Sequence, residues 1–518
     1  VSRAEEYYNG YARGGFQAWA KLGFDAKGKI LAADVYVVQD LGNTSGFWDF
    51  NNVGSSVAIV FQPKNMRFRA VPVLTNTVPK GAQRGPGENQ ASNMLEPLLD
   101  KAARELGIDR VELRKINAPG NGGKDAKYGP KQGPVTSAYL KEALEKGKKE
   151  FEWDKRSKYS GKRVGNKVKA IGVGQAYHTA GYNGFDGLCR ITPDGILHIH
   201  TGVGNLGTFS YASTSRVCAE VLGYDWERCV IERGGTRKHI PFNIGQFGSN
   251  TTFTMSRTNY AAGMAAKDLL LEIAAKVLGG KAENYKLENE FVVNTSNGSN
   301  KISFADCAKK AIEMGGKYSG METPEDINPF TKAAVGGIKG TGLVGVAKDK
   351  IPKTATVPAL SASFIEIELD LETGKYEILD CLGVADCGTV MHPTGLAAQI
   401  RSGAVMGFGL AATERHVYDP AYGRPNMKGF YQAKPPSYLD VPVKNGWAAV
   451  DKADPQSPVG AKGIGEPLQG SASSALLCAI SEALGGHMFN RTPVVTDMII
   501  NAAAGKPQSH KPMQTNCQ

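Results

Sequence analysis

Apolar residues recur at helical spacing in several long stretches of the chain, and glycine closes most of them. Met94, Leu95, Leu98, Leu99, Ala102 and Leu106 form one stripe over about 90–106, which Gly107 stops. Asp109 with Glu112 reads as a capping-box variant that opens a short helix after it. Leu140, Ala143, Leu144 and Phe151 mark a helix over 137–153, and further helices are expected over 210–222, 255–278 and 394–410. Ala475, Leu476, Ala479, Ile480 and Leu484 place the last one over 471–484, ended by Gly485-Gly486. Between the helices lie β-rich runs at 29–41, 67–74 and 229–232. A hairpin is expected over 186–201 about Pro193-Asp194-Gly195, and another over 361–384 about Thr373-Gly374. Residues 1–25 and 321–345 give no clear element. Strand, glycine loop and helix follow one another repeatedly without a fixed period, which predicts a mixed α/β (α+β) fold.

Length and composition narrow the class. A chain of 518 residues, 41% hydrophobic and 21% charged, is ordinary globular material for two domains or more. Residues 120–134 are rich in glycine, lysine and proline with little to bury, so the domain boundary is expected there. The formal net charge of +11 raises the question of nucleic acid, but the basic residues are scattered. The densest run, Lys155 to Lys169, carries no aromatic beyond Tyr159 and reads as a solvated surface. The eight cysteines (Cys189, Cys218, Cys229, Cys307, Cys381, Cys387, Cys478 and Cys517) include no CxxC pair, so they provide no iron–sulfur or zinc spacing and fit free thiols in a reducing compartment. No stretch is apolar enough to span a membrane. A cytoplasmic location is expected, with the periplasm left open.

The candidate chemistry lies in the glycine loops. Gly460-Ala461-Lys462-Gly463-Ile464-Gly465-Glu466-Pro467 puts one carboxylate in a loop of small residues ahead of a helix, where it can act as a general base or bond to the helix N-terminus. Gly202-x-Gly204-x-x-Gly207 formally matches a dinucleotide fingerprint, with Glu232 ending the next strand. A nicotinamide- or flavin-dependent dehydrogenase built on that loop is therefore one alternative, and a non-catalytic scaffold subunit is another. Against the first, the strand before the loop reads as half of a hairpin rather than part of a βαβ unit. Loops 81–88, 202–208, 246–252 and 460–467 each offer backbone N–H groups near a helix start, and together they could hold one large anionic cofactor. Gln399 could add a side-chain amide.

These loops carry a resemblance. Ala82-Gln83-Arg84-Gly85-Pro86-Gly87-Glu88-Asn89-Gln90 resembles the AFRGFGGPQ-type loop of the molybdenum hydroxylases, the xanthine dehydrogenase and aldehyde oxidoreductase family. Lys462 to Pro467 resembles the family's KAVGEPP loop, and Phe247 to Thr252 its GGSRST-type loop. Asp386-Cys387-Gly388 and Gln399 to Ala404 resemble its D-x-G and Q-x-E-G-A segment, so order and spacing agree over essentially the whole chain. The resemblance implies a two-domain molybdopterin-binding subunit: 1–125 the C-terminal part of a first molybdenum-binding domain, 126–165 a linker and connecting helix, and 166–518 a second domain. It implies a molybdenum–molybdopterin cofactor, in mononucleotide or cytosine dinucleotide form, whose metal is held by the pterin dithiolene with no direct protein ligand. Glu466 falls on the position of the catalytic base, which deprotonates an oxygen ligand of the metal. Arg84, Gly85, Gly207, Thr208, Phe247, Gly248, Ser249, Asn250, Thr251, Gln399 and Gly465 fall on cofactor-binding positions. Pro86, Tyr177 and His178 fall on substrate positions, although His178 by itself reads more readily as a structural histidine.

The implied reaction is hydroxylation of an aldehyde, an N-heterocycle or an activated ring carbon, with water as the oxygen source. Electrons would pass to partner chains carrying 2Fe-2S and FAD, in a dimer of heteromers. Three departures bear on this. Thr208 stands where many relatives have a glutamine, Pro86 replaces an aromatic that stacks on flat substrates, and no arginine lies between Arg13 and Arg67, where purine enzymes supply one. Purine is therefore disfavoured. The family's glycine–phenylalanine loop and apical glutamine have no counterpart here, so a longer form of the chain or another polypeptide is expected to supply them.

Overall fold

The computed structural model describes residues 1–120, 133–235 and 237–508. The linker expected at 120–134 falls largely outside those residues, as does Cys517. Where the fold is tightest, backbone meets backbone. Strand Lys167–Thr179 is the fourth of five in the order Lys444–Ala449, Tyr376–Asp386, Pro358–Asp370, Lys167–Thr179, Lys162–Val164. The pairs are antiparallel except that between Lys444–Ala449 and Tyr376–Asp386. Helix Pro467–Ala483 lies directly on Lys167–Thr179. Side chains at Gly172 or Gly174 would run into the helix backbone at Ala475 and Ala479, or at Ser471 and Ala475. The facing residues Gly470, Ser471, Ser474, Ala475 and Ala479 are small and buried, which permits that approach.

The other face of this sheet is covered by helices Phe50–Val60, Glu88–Leu106 and Leu140–Glu150. Their apolar stripes meet Ile171, Val173, Tyr177, Leu360, Ala362 and Phe364 in the largest core. Strand alternation thus sends Tyr177 to one face and His178 to the other. Earlier than helix Glu88–Leu106, Phe16–Phe24, Ile30–Gly42 and Asn65–Leu74 form a three-stranded sheet, its second pair parallel through helix Phe50–Val60.

The four-stranded sheet runs Leu343–Lys348, Asp186–Ile191, Leu197–His200, Cys229–Glu232. Helix Thr251–Leu278 sits on it by the same device: Gly187 faces the Thr258 carbonyl, and Gly345 faces Ala262 and Ala266. Several expectations are corrected here. Strand Leu197–His200 belongs both to the hairpin with Asp186–Ile191 and, through helix Ser210–Leu222, to a parallel βαβ unit with Cys229–Glu232. The stretch read as irregular at 321–345 contains helix Pro329–Gly336 and the start of strand Leu343–Lys348. The long helix begins at Thr251 and the last glycine-loop helix at Pro467, each four residues earlier than the apolar stripe indicates. Phe253 and Leu468 in these first turns share a small apolar core, but the polar Thr251, Thr254 and Gln469 beside them break the stripe.

The contact between Gly174 and the helix makes a testable statement. Gly174→Val forces the helix off the strand and should cost more than ~2 kcal/mol. Gly204→Ala, where a Cβ would meet no atom within 4 Å, should stay within ~0.5 kcal/mol. Urea denaturation of both variants measures the difference.

Candidate active site

Helix Pro467–Ala483 runs antiparallel to the strand beneath it. The six residues from Gly172 to His178 span about 20 Å at ~3.3 Å each. The thirteen from Ala479 back to Glu466 span about 20 Å at ~1.5 Å each. The Gly174 contact at Ser471 lies between, so the antiparallel pair carries Glu466 and His178 to the same end.

His178 Nε2 is bonded to Glu466 Oε2, and Glu88 Oε1 lies 3.4 Å from the same nitrogen. The opposite ring nitrogen, Nδ1, is 2.6 Å from the Thr179 carbonyl. A carbonyl only accepts, so Nδ1 carries a proton; Nε2 faces carboxylates, so it carries one as well. The ring is an imidazolium. Burial opposes that charge, but the carboxylates of Glu466 and Glu88 outweigh it and raise the pKa to about 10. Glu466 moves the other way. Burial would raise it, yet the charge and hydrogen bond of His178 and the N–H groups of Gly85 (3.4 Å) and Gly248 (3.0 Å) hold it below its ordinary range. Glu88, with a side chain only 2% exposed, is pushed by burial up to about 8, with His178 offsetting part of the rise. At neutral pH the cluster is one carboxylate, one cation and one neutral acid.

The loops holding Glu466 are tied to each other. Its own N–H donates to Ser249 Oγ at 3.0 Å. Gly463 must be glycine because a side chain would overlap the Ser249 carbonyl. Lys462 is buried and ion-paired with Asp386 at 2.9 Å, which anchors the loop to the end of a central strand. Arg84 joins three segments: Nε donates to the Gly465 carbonyl (2.6 Å), Nη2 to the Gln399 carbonyl (3.1 Å) and Oε1 (3.3 Å), and Nη1 to Ser402 Oγ (2.9 Å). Glu466 makes no side-chain bond to its own helix, so the reading of a simple N-terminal acid does not hold.

Other residues expected at the site have protein partners of their own. Thr208 Oγ1 accepts from the Gln246 amide at 2.7 Å, and the Gly207 N–H donates to Asn205 Oδ1 at 3.0 Å. Asn250 donates to the Gly245 carbonyl at 3.1 Å, and Thr251 is the buried first residue of its helix. Pro86 is buried, its carbonyl accepting from Asn52 at 2.7 Å. Tyr177 packs in the core with Val57, Leu95 and Leu360, on the face away from Glu466. The structure brings Glu466, His178, Gly85 and Gly248 together and leaves Tyr177 apart from them. The fingerprint loop is not free for a pyrophosphate. Gln246 takes the Leu206 N–H, Asn205 takes those of Gly207 and Phe209, and Glu232 is paired with His198 and Lys238. Sequence reasoning missed Glu88, although it lies in the quoted loop. An acid in a glycine turn gives no sign that it will be buried against a histidine from a distant strand.

The sequence profile of the molybdopterin cofactor-binding domain matches residues 1–118, and a second profile of that description matches 146–442. The chain belongs to the molybdopterin cofactor-binding family. It is similar to the putative xanthine dehydrogenase molybdenum-binding subunit of Escherichia coli, with 26% identity over 94% of this chain and 62% of the relative. The gamma subunit of the 6-hydroxypseudooxynicotine dehydrogenase complex of Paenarthrobacter nicotinovorans is 26% identical, over 94% of this chain and 59% of its own. The chain thus spans about three-fifths of these relatives' length. Its fold is that of quinoline 2-oxidoreductase from Pseudomonas putida 86, with a TM-score of 0.81 and 21% identity, over 98% of this chain and 64% of that one. An aldehyde oxidoreductase from Desulfovibrio desulfuricans gives a TM-score of 0.72 at 20% identity, over 96% and 50%.

The residues present fit a bulky pterin. A side chain at Gly204 or Gly207 would meet nothing within 4 Å, and one at Gly465 nothing nearer than 3.6 Å. Leu206, Phe209 and Phe247 stand 74%, 60% and 55% exposed on these loops, apolar surface of the kind a flat ring system covers. Asn250 Oδ1 is buried without a partner among the described residues. No group of three or more His, Cys, Asp or Glu side chains there is placed to hold a metal ion, and no helix among them is long and apolar enough to cross a membrane.

Ser249→Ala removes the acceptor for the Glu466 N–H. It should cost about 1 kcal/mol and speed exchange of that amide, read by hydrogen–deuterium exchange. For Glu466 the folded pKa is depressed, so its stabilisation is present above the ordinary value of 4.5 and fades as pH falls through the folded value. The stability gap between the parent and Glu466→Gln should therefore close on acidification below about pH 4.5, measured by urea titration at each pH.

Proposed function

We propose that this chain is the cofactor-binding and substrate-oxidising part of a molybdenum hydroxylase, with Glu466 as its general base. The observation that carries the reading is the Glu466 carboxylate. It is kept ionised by donors from three separate segments, and its side chain retains 16% exposure at the mouth of the loop cluster. A structural carboxylate would be sealed in by its partners, whereas this one keeps a face open.

In the reaction, a carbon–hydrogen bond gives way to a carbon–oxygen bond from water, and two electrons and two protons leave. The molybdenum–pterin group, when bound, accepts the electron pair. Gly204, Gly207, Gly465 and the Gln399 amide would hold it. Glu466 accepts the proton that the oxygen nucleophile loses, and the Gly85 and Gly248 N–H groups aim its oxygens. Arg84 keeps Gly465 and helix Pro393–Phe408 in register with that carboxylate. Substrates with an electron-poor carbon suit the chemistry: aldehydes, N-heterocycles and activated rings. Pro86 and the absence of an arginine between Arg13 and Arg67 leave little to recognise a purine. The electrons pass to iron–sulfur and flavin partner chains, and a cytoplasmic dimer of heteromers is the assembly this reading implies.

Metal analysis with a pterin assay on the purified protein should find molybdenum and a molybdopterin. Glu466→Gln keeps shape and removes charge. It should fold, hold cofactor at the parent's occupancy and reduce it at least about 10²-fold more slowly in a single turnover with substrate. A half-reaction within about threefold of the parent, ~0.65 kcal/mol, excludes Glu466 as the base.

A further inference from the structure

One Nε2–H faces two carboxylates. His178 binds Glu466 through it, and Glu88 Oε1 stands 3.4 Å from the same atom. The side chains of Glu88 and His178 are 2% and 5% exposed, so water does not screen the contact. Glu88 opens helix Glu88–Leu106 from a glycine whose φ of 89° is left-handed, and its Oε2 has no hydrogen-bond partner among the described residues. A buried carboxyl with an unused oxygen, aimed at an imidazole already engaged elsewhere, is more than packing requires.

We propose that Glu88 is a positioning residue that competes with Glu466 for the His178 Nε2–H, and so sets how firmly the imidazole holds the base. This rests on the reading of Glu466 as the base. While Glu88 is neutral, the imidazolium's pull falls on Glu466 alone and weakens it as a proton acceptor. Once Glu88 ionises, the pull is shared. A second negative charge then stands near Glu466 and raises its proton affinity, so the base strengthens with no movement of the loops. The other charged groups facing the cluster are Arg84 toward Glu466, Arg13 toward both glutamates, and Asp49 toward Glu88. The arginines stay cationic. Asp49 is itself raised by burial, to about 7, and its ionisation opposes that of Glu88.

The test uses the cofactor-loaded protein with histidine ring nitrogens labelled, His178 being assigned by the signal lost in His178→Gln. In the parent, His178 should hold its second proton well above pH 8. In Glu88→Gln the midpoint should fall by at least about one pH unit, as removal of a carboxylate at this range requires. Glu88→Leu removes the same charge, keeps the bulk and should show the same fall. The rate of the single-turnover half-reaction should match the parent at pH 6, where Glu88 is already neutral, and lag behind it at pH 8, where Glu88 is ionising and His178 is still cationic in both. In a His178→Gln background, Glu88→Gln should change the rate less than it does in the parent. A His178 midpoint that stays in place, or an equal loss of rate at pH 6 and pH 8, overturns the proposal. If Glu466→Gln keeps the parent's rate, the base reading fails by itself, and the His178 titration still decides what Glu88 does.

Discussion

Helix Pro467–Ala483 touches strand Lys167–Thr179 through backbone rather than side chains, and the position of the Glu466 carboxylate depends on that distance. Gly172 and Gly174 leave no room for slippage, because any shift brings a side chain of one element into the peptide groups of the other. A helix packed through long side chains could slide by a fraction of a turn and repack. One packed through Ser471, Ser474, Ala475 and Ala479 cannot. The register is therefore stiff from the Gly172 contact to Glu466, ~20 Å along the helix, with the Gly174 contact at Ser471 between them. The same construction at Gly187 and Gly345 seats helix Thr251–Leu278, whose preceding loop supplies the Gly248 N–H and Ser249 Oγ. Two helices, each fixed at backbone contact on a different sheet, thus bring their N-terminal loops together at one carboxylate.

Charge at that point is balanced within the protein. A carboxylate as buried as Glu466 would be costly to keep ionised without help. Here an imidazolium, two backbone N–H groups and the nearby Arg84 provide it. The imidazolium in turn exists because its other nitrogen is committed to the Thr179 carbonyl and two carboxylates face it. The resemblance placed His178 on a substrate position, while the residue alone read more readily as a structural histidine. The structure buries it and binds it to Glu466, whose ionised state it supports.

The helices were largely legible because apolar stripes at 94–106, 140–151 and 475–484 face cores. Glycine loops were legible as places of close backbone approach. Strand Lys167–Thr179 was not read at all: it is buried on both faces, so it shows no alternation, and its glycines look like breakers when they are contact points. The βαβ relation of Leu197–His200 to Cys229–Glu232 was read the wrong way, since pairing on a strand's second edge leaves no mark in its sequence.

What the sequence by itself determined is the family and the glycine loops that carry it, because these depend on residue types at short spacings that local backbone chemistry constrains. Tertiary structure alone decided that Gly85, Gly248, His178 and Glu88 converge on Glu466, and that Tyr177, one residue from His178, does not. Residues 85, 178, 248 and 466 are joined only through sheet register and helix contact. Whether a buried acid is neutral or charged depends on which groups those contacts bring within a few ångströms.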